Sequence, residues 1–416
     1  MALSFQEARA MVVREVCSCA APEHCSLSDA GGRVLAEDIR ADRDYPPFDR
    51  SARDGFAVRA VDLPGELLVV GEIRAGEVPS RAVEGGGAIE IMTGAPMPSG
   101  ADAVVMVEHV RRDGARVVIE RAAKSGDNFT PRGTEARAGE VVLRRGKRLG
   151  YADIALLAMV GCAEVPVFRK PRVAILPTGD ELVDVDSVPL PDGRPVVVDS
   201  TDRVGSEGRA PGDVQIRNSN AYSIAAQVRQ AGAIADVLPI ARDDYESTRG
   251  LIERGLRDAD LLLLSGGVSA GKYDIVEKVL ADLGARFLFD RVAIQPGQPV
   301  VFGTVGGKFF FGLPGNPVST MVTFELFARA AIDRLSGCDS APLPLMRARI
   351  TRDFRHKPGL TRFLPAMLSE DGATVTPVQW HGSGDVPAAA RSNAFLVAEA
   401  DRESWKEGED IRVLSR

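Results

Sequence analysis

Four consecutive leucines, Leu261–Leu264, constrain this chain more than any other feature. A run that short and that apolar, closed by Ser265-Gly266-Gly267, reads as a strand buried on both faces, which is characteristic of parallel sheets covered by helices. The flanking sequence agrees. From Lys170 to about residue 335, apolar runs alternate with helical patterns, as a helix-wound parallel sheet requires. Strands are predicted over Arg172–Leu176, Asp236–Ile240 and Leu261–Leu264, with a strand pair at Val300–Gly303 and Lys308–Gly312. Helices are predicted over Asn220–Gln230, Tyr245–Arg257 and Tyr273–Leu283. A long buried helix then runs from Pro317 to about Leu335, with Asn316 as its N-cap.

At 416 residues the chain is too long for one core and should divide into several domains. Before Lys170, a capping box at Ser4 and Glu7 opens one helix. Short strands follow at Leu67–Val70, Ala103–Val107 and Val117–Ile119, then a helix over Tyr151–Val160 stopped by Gly161. Residues from about 338 to 416 return to short strands and turns. The stretch 184–218, rich in Pro, Gly, Ser and Asp, reads as a long surface insertion.

Charge and cysteines narrow the function classes. A net charge of −7 offers no basic face for phosphates, so a nucleic-acid partner is not expected. Arg144, Arg145, Lys147 and Arg148 read as a solvated edge. No apolar run approaches the roughly 20 residues of a membrane helix, so no membrane partner is expected. The N-terminus lacks a signal-peptide pattern, and five scattered cysteines suit a reducing compartment, so a cytoplasmic location is expected. Cys17, Cys19 and Cys25 with His24 lack the paired spacing of a zinc site and read as thiols at a helix end.

Ligands of open parallel sheets bind beyond the C-terminal strand ends. There this chain places Thr178-Gly179-Asp180-Glu181, then Arg242-Asp243-Asp244, then the loop from Ser265 to Asp274. Three strands thus deliver carboxylates to one edge, and one of them also delivers a glycine-rich loop. Bare glycines let backbone N–H groups approach a phosphate, and a following helix start adds its dipole. Carboxylates supply hard oxygens for Mg²⁺, which also bridges substrate phosphates. A phosphorylated ligand with Mg²⁺ satisfies this set. Taken singly, each carboxylate also suits a helix cap, and Asp243 in particular fits as the cap of the helix at Tyr245.

Five motifs resemble the MoeA / gephyrin E-domain family of molybdenum insertases: PPFDRSARDGFAV, IMTGAPMPSGADAVVMVE, RVAILPTGDEL, SGGVSAGKYD and FGLPGNPVS. They occur in that family's order across most of the chain. The resemblance implies a multidomain α/β protein. It would have a MogA-like parallel-sheet domain (169–337), an inserted β-rich domain (46–134), a discontinuous linker domain of helix and strand (1–45 and 135–168) and a C-terminal β-barrel (338–416). It implies transfer of molybdenum from molybdate to adenylylated molybdopterin with Mg²⁺ and release of AMP. It further implies a homodimer whose cleft joins the third domain of one subunit to the second domain of its partner. Contacts with a MogA-type adenylyltransferase and with molybdoenzyme chaperones also follow from it.

Carried over residue by residue, Glu181, Asp243 and Asp274 fall on the family's acidic metal and catalytic positions. Asp54 and Thr93 match cleft residues, and Glu135 stands where the family usually has Asp. Ser265, Gly266, Gly267, Val268, Ser269 and Lys272 match the pterin–nucleotide cradle, as do Pro314, Gly315, Asn316 and Ser319. For the oxyanion the resemblance points to Arg291, Gln295, Gln298, Pro299, Arg362 and Ser383.

One departure bears on that oxyanion. Where the family has Lys-Pro-Gly-Lys-Pro, this chain reads Gln295-Pro296-Gly297-Gln298-Pro299. An arginine that the family places after Pro-Gly is here Leu360, with Arg362 close by. Charge-assisted hydrogen bonds exceed neutral ones by about 1 kcal/mol each, so losing two weakens oxyanion binding by roughly 10- to 100-fold. Two other readings stay open at this point: a binding scaffold without insertion activity, and an insertase tuned to tungstate or another oxyanion.

Overall fold

A computed structural model of the chain describes residues 2–17, 20–185, 215–266, 275–338 and 342–416, with short backbone stretches at 188–189 and 195–196. Cys19, most of the 184–218 insertion and the site candidates Gly267, Val268, Ser269, Lys272 and Asp274 lie outside the described residues. The chain forms two compact units, Met1–Glu23 with Gly32–Ala36 and Val167–Arg416, and His24–Gly31 with Glu37–Pro166.

The first unit opens with helix α1 (Phe5–Glu15). Its capping box is formed as the sequence requires: Glu7 N–H donates to Ser4 Oγ at 3.2 Å, and Ser4 N–H donates to Glu7 Oε2 at 2.9 Å.

The second unit is built on a six-stranded sheet of β1 (Gly55–Val58), β2 (Gly65–Ile73), β3 (Gly87–Ile91), β4 (Ala103–Met106), β5 (Arg111–Asp113) and β6 (Arg116–Ile119), in the order β4-β1-β3-β2-β6-β5. Alternation sorts its side chains: Phe56, Val58 and Val105 enter one core, while Ala57, Ile89 and Val104 enter the other. Helix α2 (Tyr151–Met159) completes the unit. Lys147, from the short basic run, pairs with Asp153 in the first turn of α2 at 2.5 Å.

In the first unit the predicted parallel sheet is present. Its strands are β7 (Arg172–Pro177), β8 (Ile234–Val237), β9 (Leu261–Ser265), β10 (Arg286–Phe289), β12 (Val301–Val305) and β13 (Lys308–Leu313), in the order β8-β7-β9-β13-β12-β10. The first four of that order run parallel, and β12 and β13 form an antiparallel hairpin. Leu261 and Leu263 enter one core and Leu262 and Leu264 the other, so the leucine run is buried on both faces as read. Strand β8 lies earlier than the predicted 236–240. Pro239 has no N–H to donate and ends the ladder there.

Helices α3 (Ser219–Gln230), α4 (Tyr245–Asp258) and α5 (Ile275–Asp282) flank this sheet. The long helix after Pro317 is not uniform. Helix α6 (Pro317–Thr323) passes through a π-helical turn (Phe324–Ala328) into α7 (Arg329–Leu335). The side chain of Arg9 on α1 donates to the Leu326 carbonyl in that turn at 2.8 Å.

Asp260 anchors the entry to β9. Arg169 holds it with two bonds at 2.8 and 2.7 Å, and Arg172 N–H adds a third at 2.8 Å. Burial opposes the charge, yet these bonds hold the Asp260 carboxyl below its usual range. A depressed folded value means that this stabilisation is present above the unfolded pKa and lost as pH falls through the folded one. Asp260→Ala is expected to cost roughly 2–3 kcal/mol in chemical denaturation at pH 7, with the difference from the parent shrinking in acid. A pH-independent difference would refute the assignment.

The C-terminal part is a closed five-stranded barrel. Strands β14 (Leu345–Ile350), β15 (Thr361–Leu368), β16 (Thr374–Pro377), β17 (Ala394–Ala398) and β18 (Asp410–Ser415) run β15-β16-β14-β18-β17, and β17 pairs back to β15. A short strand β11 (Ile294–Gln295) adds in parallel to β15. The short helix α8 (Val386–Ala390) connects within this part.

Candidate functional site

Strand order locates the first cluster. From β7 the chain crosses to β8 on one side, then returns to β9 on the other, so the sheet reverses direction of winding between β7 and β9. Crevices outside the carboxyl ends of strands at such a point are where open α/β sheets take ligands.

The strand ends are tied there backbone to backbone. Thr178 N–H donates to the Ser265 carbonyl at 3.0 Å, Gly179 N–H to Ala241 at 3.1 Å, and Gly266 N–H to Leu313 at 3.2 Å. Gly266 sits at φ +94°, and a Cβ on it would lie 2.7 Å from the Thr178 carbonyl oxygen. Glycine is therefore required for the loops after β7 and β9 to meet. A Cβ on Gly315 would lie 3.8 Å from the Gly266 Cα, so the turn after β13 joins the same place.

Glu181 and Asp243 are both exposed at this edge. The Glu181 carboxylate folds back over Gly179, with Oε2 2.5 Å from where a Cβ would stand. The alternative role for Asp243 as a helix cap is excluded: Asp244 caps α4, accepting from Ser247 N–H at 2.8 Å. Asp180 accepts the Asp243 N–H at 3.0 Å and fixes that turn. Partial burial, then the charges of Asp180 and Glu181, raise the Asp243 carboxyl above its usual range.

The cradle candidates divide by exposure. Ser265, Pro314 and Ser319 are buried, and Gly315 and Asn316 are exposed. Asn316 occupies the N-cap position of α6, but its side chain makes no capping bond. Asn220, read from sequence only as the start of a helix, reaches into this cluster: its Nδ2 donates to Ser265 Oγ at 3.0 Å and to the Gly315 carbonyl at 2.7 Å.

The oxyanion candidates gather around β11. Gln295 stands opposite Arg362 in the parallel register of β11 and β15. Arg362 Nε is buried and has no hydrogen-bond partner among the described residues. Gly297, at φ +98°, packs so closely that a Cβ would meet Thr323 Cγ2 at 2.5 Å. The Gln298 carbonyl accepts from Val292 and Val300, both at 3.1 Å, and the Ser383 carbonyl accepts from Val318 N–H at 2.9 Å in the first turn of α6. Arg291 and Pro299 are exposed.

The other unit carries its own polar cluster. Thr93 donates its N–H at 2.6 Å and its hydroxyl at 2.8 Å to Asp54 Oδ1, holding that carboxyl below the usual range. Glu135 pairs with Arg50 at 2.5 Å.

Among the described residues no group of three or more His, Cys, Asp or Glu side chains is arranged to hold a metal ion, which includes the Cys17, Cys25 and His24 region. The third acidic candidate, Asp274, is outside the described residues. Among the described residues, no helix is long and apolar enough to cross a membrane.

Comparisons with known proteins agree along the whole chain. Residues 3–161 match the MoeA N-terminal region (domain I and II), residues 174–334 a probable molybdopterin binding domain, and residues 347–415 the MoeA C-terminal region (domain IV). The molybdopterin molybdenumtransferase of Staphylococcus epidermidis is 34% identical over 398 residues, covering 94% of this chain and 90% of that protein. The crystal structure of molybdopterin biosynthesis moeA protein from Pyrococcus horikoshii OT3 superposes with a TM-score of 0.82 at 30% identity, covering 100% of both chains. A second Pyrococcus moeA structure gives a TM-score of 0.75 at 31% identity, covering 100% of this chain and 99% of that one. With this identity sustained over nearly the full length, and with the fold shared throughout, the chain belongs to the molybdopterin molybdenumtransferase family, transferases of molybdenum cofactor biosynthesis.

Proposed function

We propose that this enzyme transfers molybdenum from molybdate to adenylylated molybdopterin and releases AMP, with Mg²⁺ as cofactor. The observation that carries the reading is that Glu181, Asp243, Gly266 and Gly315 all stand at the strand ends where the sheet reverses, with Asp243 under the influence of the Glu181 charge. The donor set suits the ion. Mg²⁺ takes oxygen ligands and is commonly held by one or two carboxylates together with substrate phosphates. Asp180 and Glu181 both push the Asp243 carboxyl upward, so a cation held among these carboxylates would relieve their repulsion. Glu181 and Asp243 would hold the ion, with Asp274 as the third ligand that the family resemblance suggests.

Bound there, Mg²⁺ would neutralise charge building on the phosphoryl oxygens as AMP leaves. The chain's own groups hold the substrate. Gly266, Gly267, Val268, Ser269 and Lys272, with Pro314, Gly315, Asn316 and Ser319, form the proposed cradle. Asp54 and Thr93, locked to each other, and Glu135 are proposed substrate contacts. The enzyme is read as a cytoplasmic homodimer.

Molybdate is the substrate of the oxyanion group. Gln295 and Gln298 donate amide hydrogen bonds to it, and Arg362 supplies the charge, with Arg291, Pro299 and Ser383 completing the surround. Restoring a cation should therefore tighten binding: Gln298→Lys is expected to lower the molybdate Kd by about tenfold. Calorimetry that finds no change removes the glutamines from this role. The activity itself is tested by AMP release from adenylylated molybdopterin with molybdate and Mg²⁺ present or withheld. Failure to release AMP at about millimolar molybdate would refute the reading.

A further inference from the structure

We propose that Asn220 is a specificity-determining residue, whose Oδ1 accepts a hydrogen bond from an amino group of the heterocycle that the enzyme binds. The inference rests on the pterin–nucleotide reading above and adds which part of the ligand lies at the β9 and β13 ends. Asn220 stands in the first turn of α3, yet it is not needed there: Asn218 caps that helix, accepting from Ala221 N–H at 3.2 Å. Its amide is instead sent across the crevice. The Gly315 carbonyl only accepts, so the nitrogen must face it, at 2.7 Å, and the second proton goes to Ser265 Oγ at 3.0 Å. Both donors of the amide are then spent.

The remaining atom is Oδ1, which is buried and has no hydrogen-bond partner among the described residues. Its direction is dictated by the nitrogen, so it cannot be turned to donate. A buried acceptor left alone is costly, and what it can take is a donor. Phosphate oxygens at neutral pH only accept, so Oδ1 repels them. An amino N–H satisfies it, and both an aminopurine and a pterin ring carry one. Gly266 and Gly315 touch there without side chains, so a flat ring can lie over the pair beside Asn220. The same Asn220 amide thus joins two loops and reads the ligand that lies over them.

The test compares probe pairs that differ by one amino group: AMP against purine riboside 5′-monophosphate, and pterin against its 2-deamino analogue. Wild-type protein is expected to prefer the amino-bearing member of one pair by about tenfold or more in calorimetry, and the pair that discriminates identifies the ring at Asn220. In Asn220→Ala that preference should fall to about onefold. Loss of the loop-joining bonds alone would weaken both members equally and leave the ratio intact. A wild-type protein that binds both members of each pair equally overturns the inference, as does an unchanged ratio in the variant. Should wild type bind none of the four probes, the pterin–nucleotide reading itself falls, and the inference with it.

Discussion

Asp243→Asn is expected to lower kcat/KM by about 100- to 1,000-fold while raising the melting temperature at neutral pH. The two effects share a cause. Partial burial and the charges of Asp180 and Glu181 make the folded protein hold the Asp243 proton more tightly than the unfolded chain does. The contribution of such a group to stability is complete below the unfolded pKa and is lost as pH rises through the folded one. At neutral pH the charged form is therefore a net cost, which asparagine removes while keeping the side chain's shape. The backbone bond from Asp243 N–H to Asp180 at 3.0 Å survives the exchange, so the turn stays in place. Turnover assays and thermal melts at pH 5 and pH 7.5 decide it. The stabilisation should shrink at the lower pH. Unaltered turnover would remove Asp243 from the metal site, and a lowered melting temperature at pH 7.5 would contradict the electrostatic account.

Gly266→Ala should have the second large effect. A side chain at φ +94° costs about 1–2 kcal/mol in backbone strain. The added methyl would also stand 2.7 Å from the Thr178 carbonyl oxygen, and forcing that contact apart adds about 1–3 kcal/mol. A combined loss of about 2–5 kcal/mol predicts a fall in melting temperature on the order of 4–10 °C. Gly307→Ala is the control. Gly307 also has positive φ, at +77°, but nothing lies within 4 Å of its Cβ position. It should show the backbone cost alone. Equal melting of the two variants would mean that the approach of the β7 and β9 loops exerts no force on this position.

Local chemistry made part of this legible in the sequence. The capping box at Ser4 and Glu7 needs residues three apart, and Leu261–Leu264 needs only its own composition. Strand ends and helix starts, and hence Glu181 and Asp243 at one sheet edge, follow from such segments once the sheet is parallel. Two kinds of feature escaped. Between Asp243 and Asp244 the sequence could not say which caps α4, because both stand within two residues of Tyr245 and either geometry suits the turn. Asn220 gave no sign at all. Its partners are 45 and 95 residues away, and its significance lies in an oxygen left over after those bonds are made. The facing of Gln295 and Arg362 is likewise a fact of register between β11 and β15, set by pairing of distant segments.

That register has a mechanical consequence. Strand β11 leaves the α/β part of the chain and is stitched to the barrel, with Thr361 N–H donating to the Ala293 carbonyl at 3.1 Å. The barrel is a closed ring, so a force on one strand is shared by all five. Any tilt drags Gln295 with it and tugs on the turn at Gly297, which is wedged against Thr323. A force on the far side of the barrel would thereby reach the proposed oxyanion site through β11.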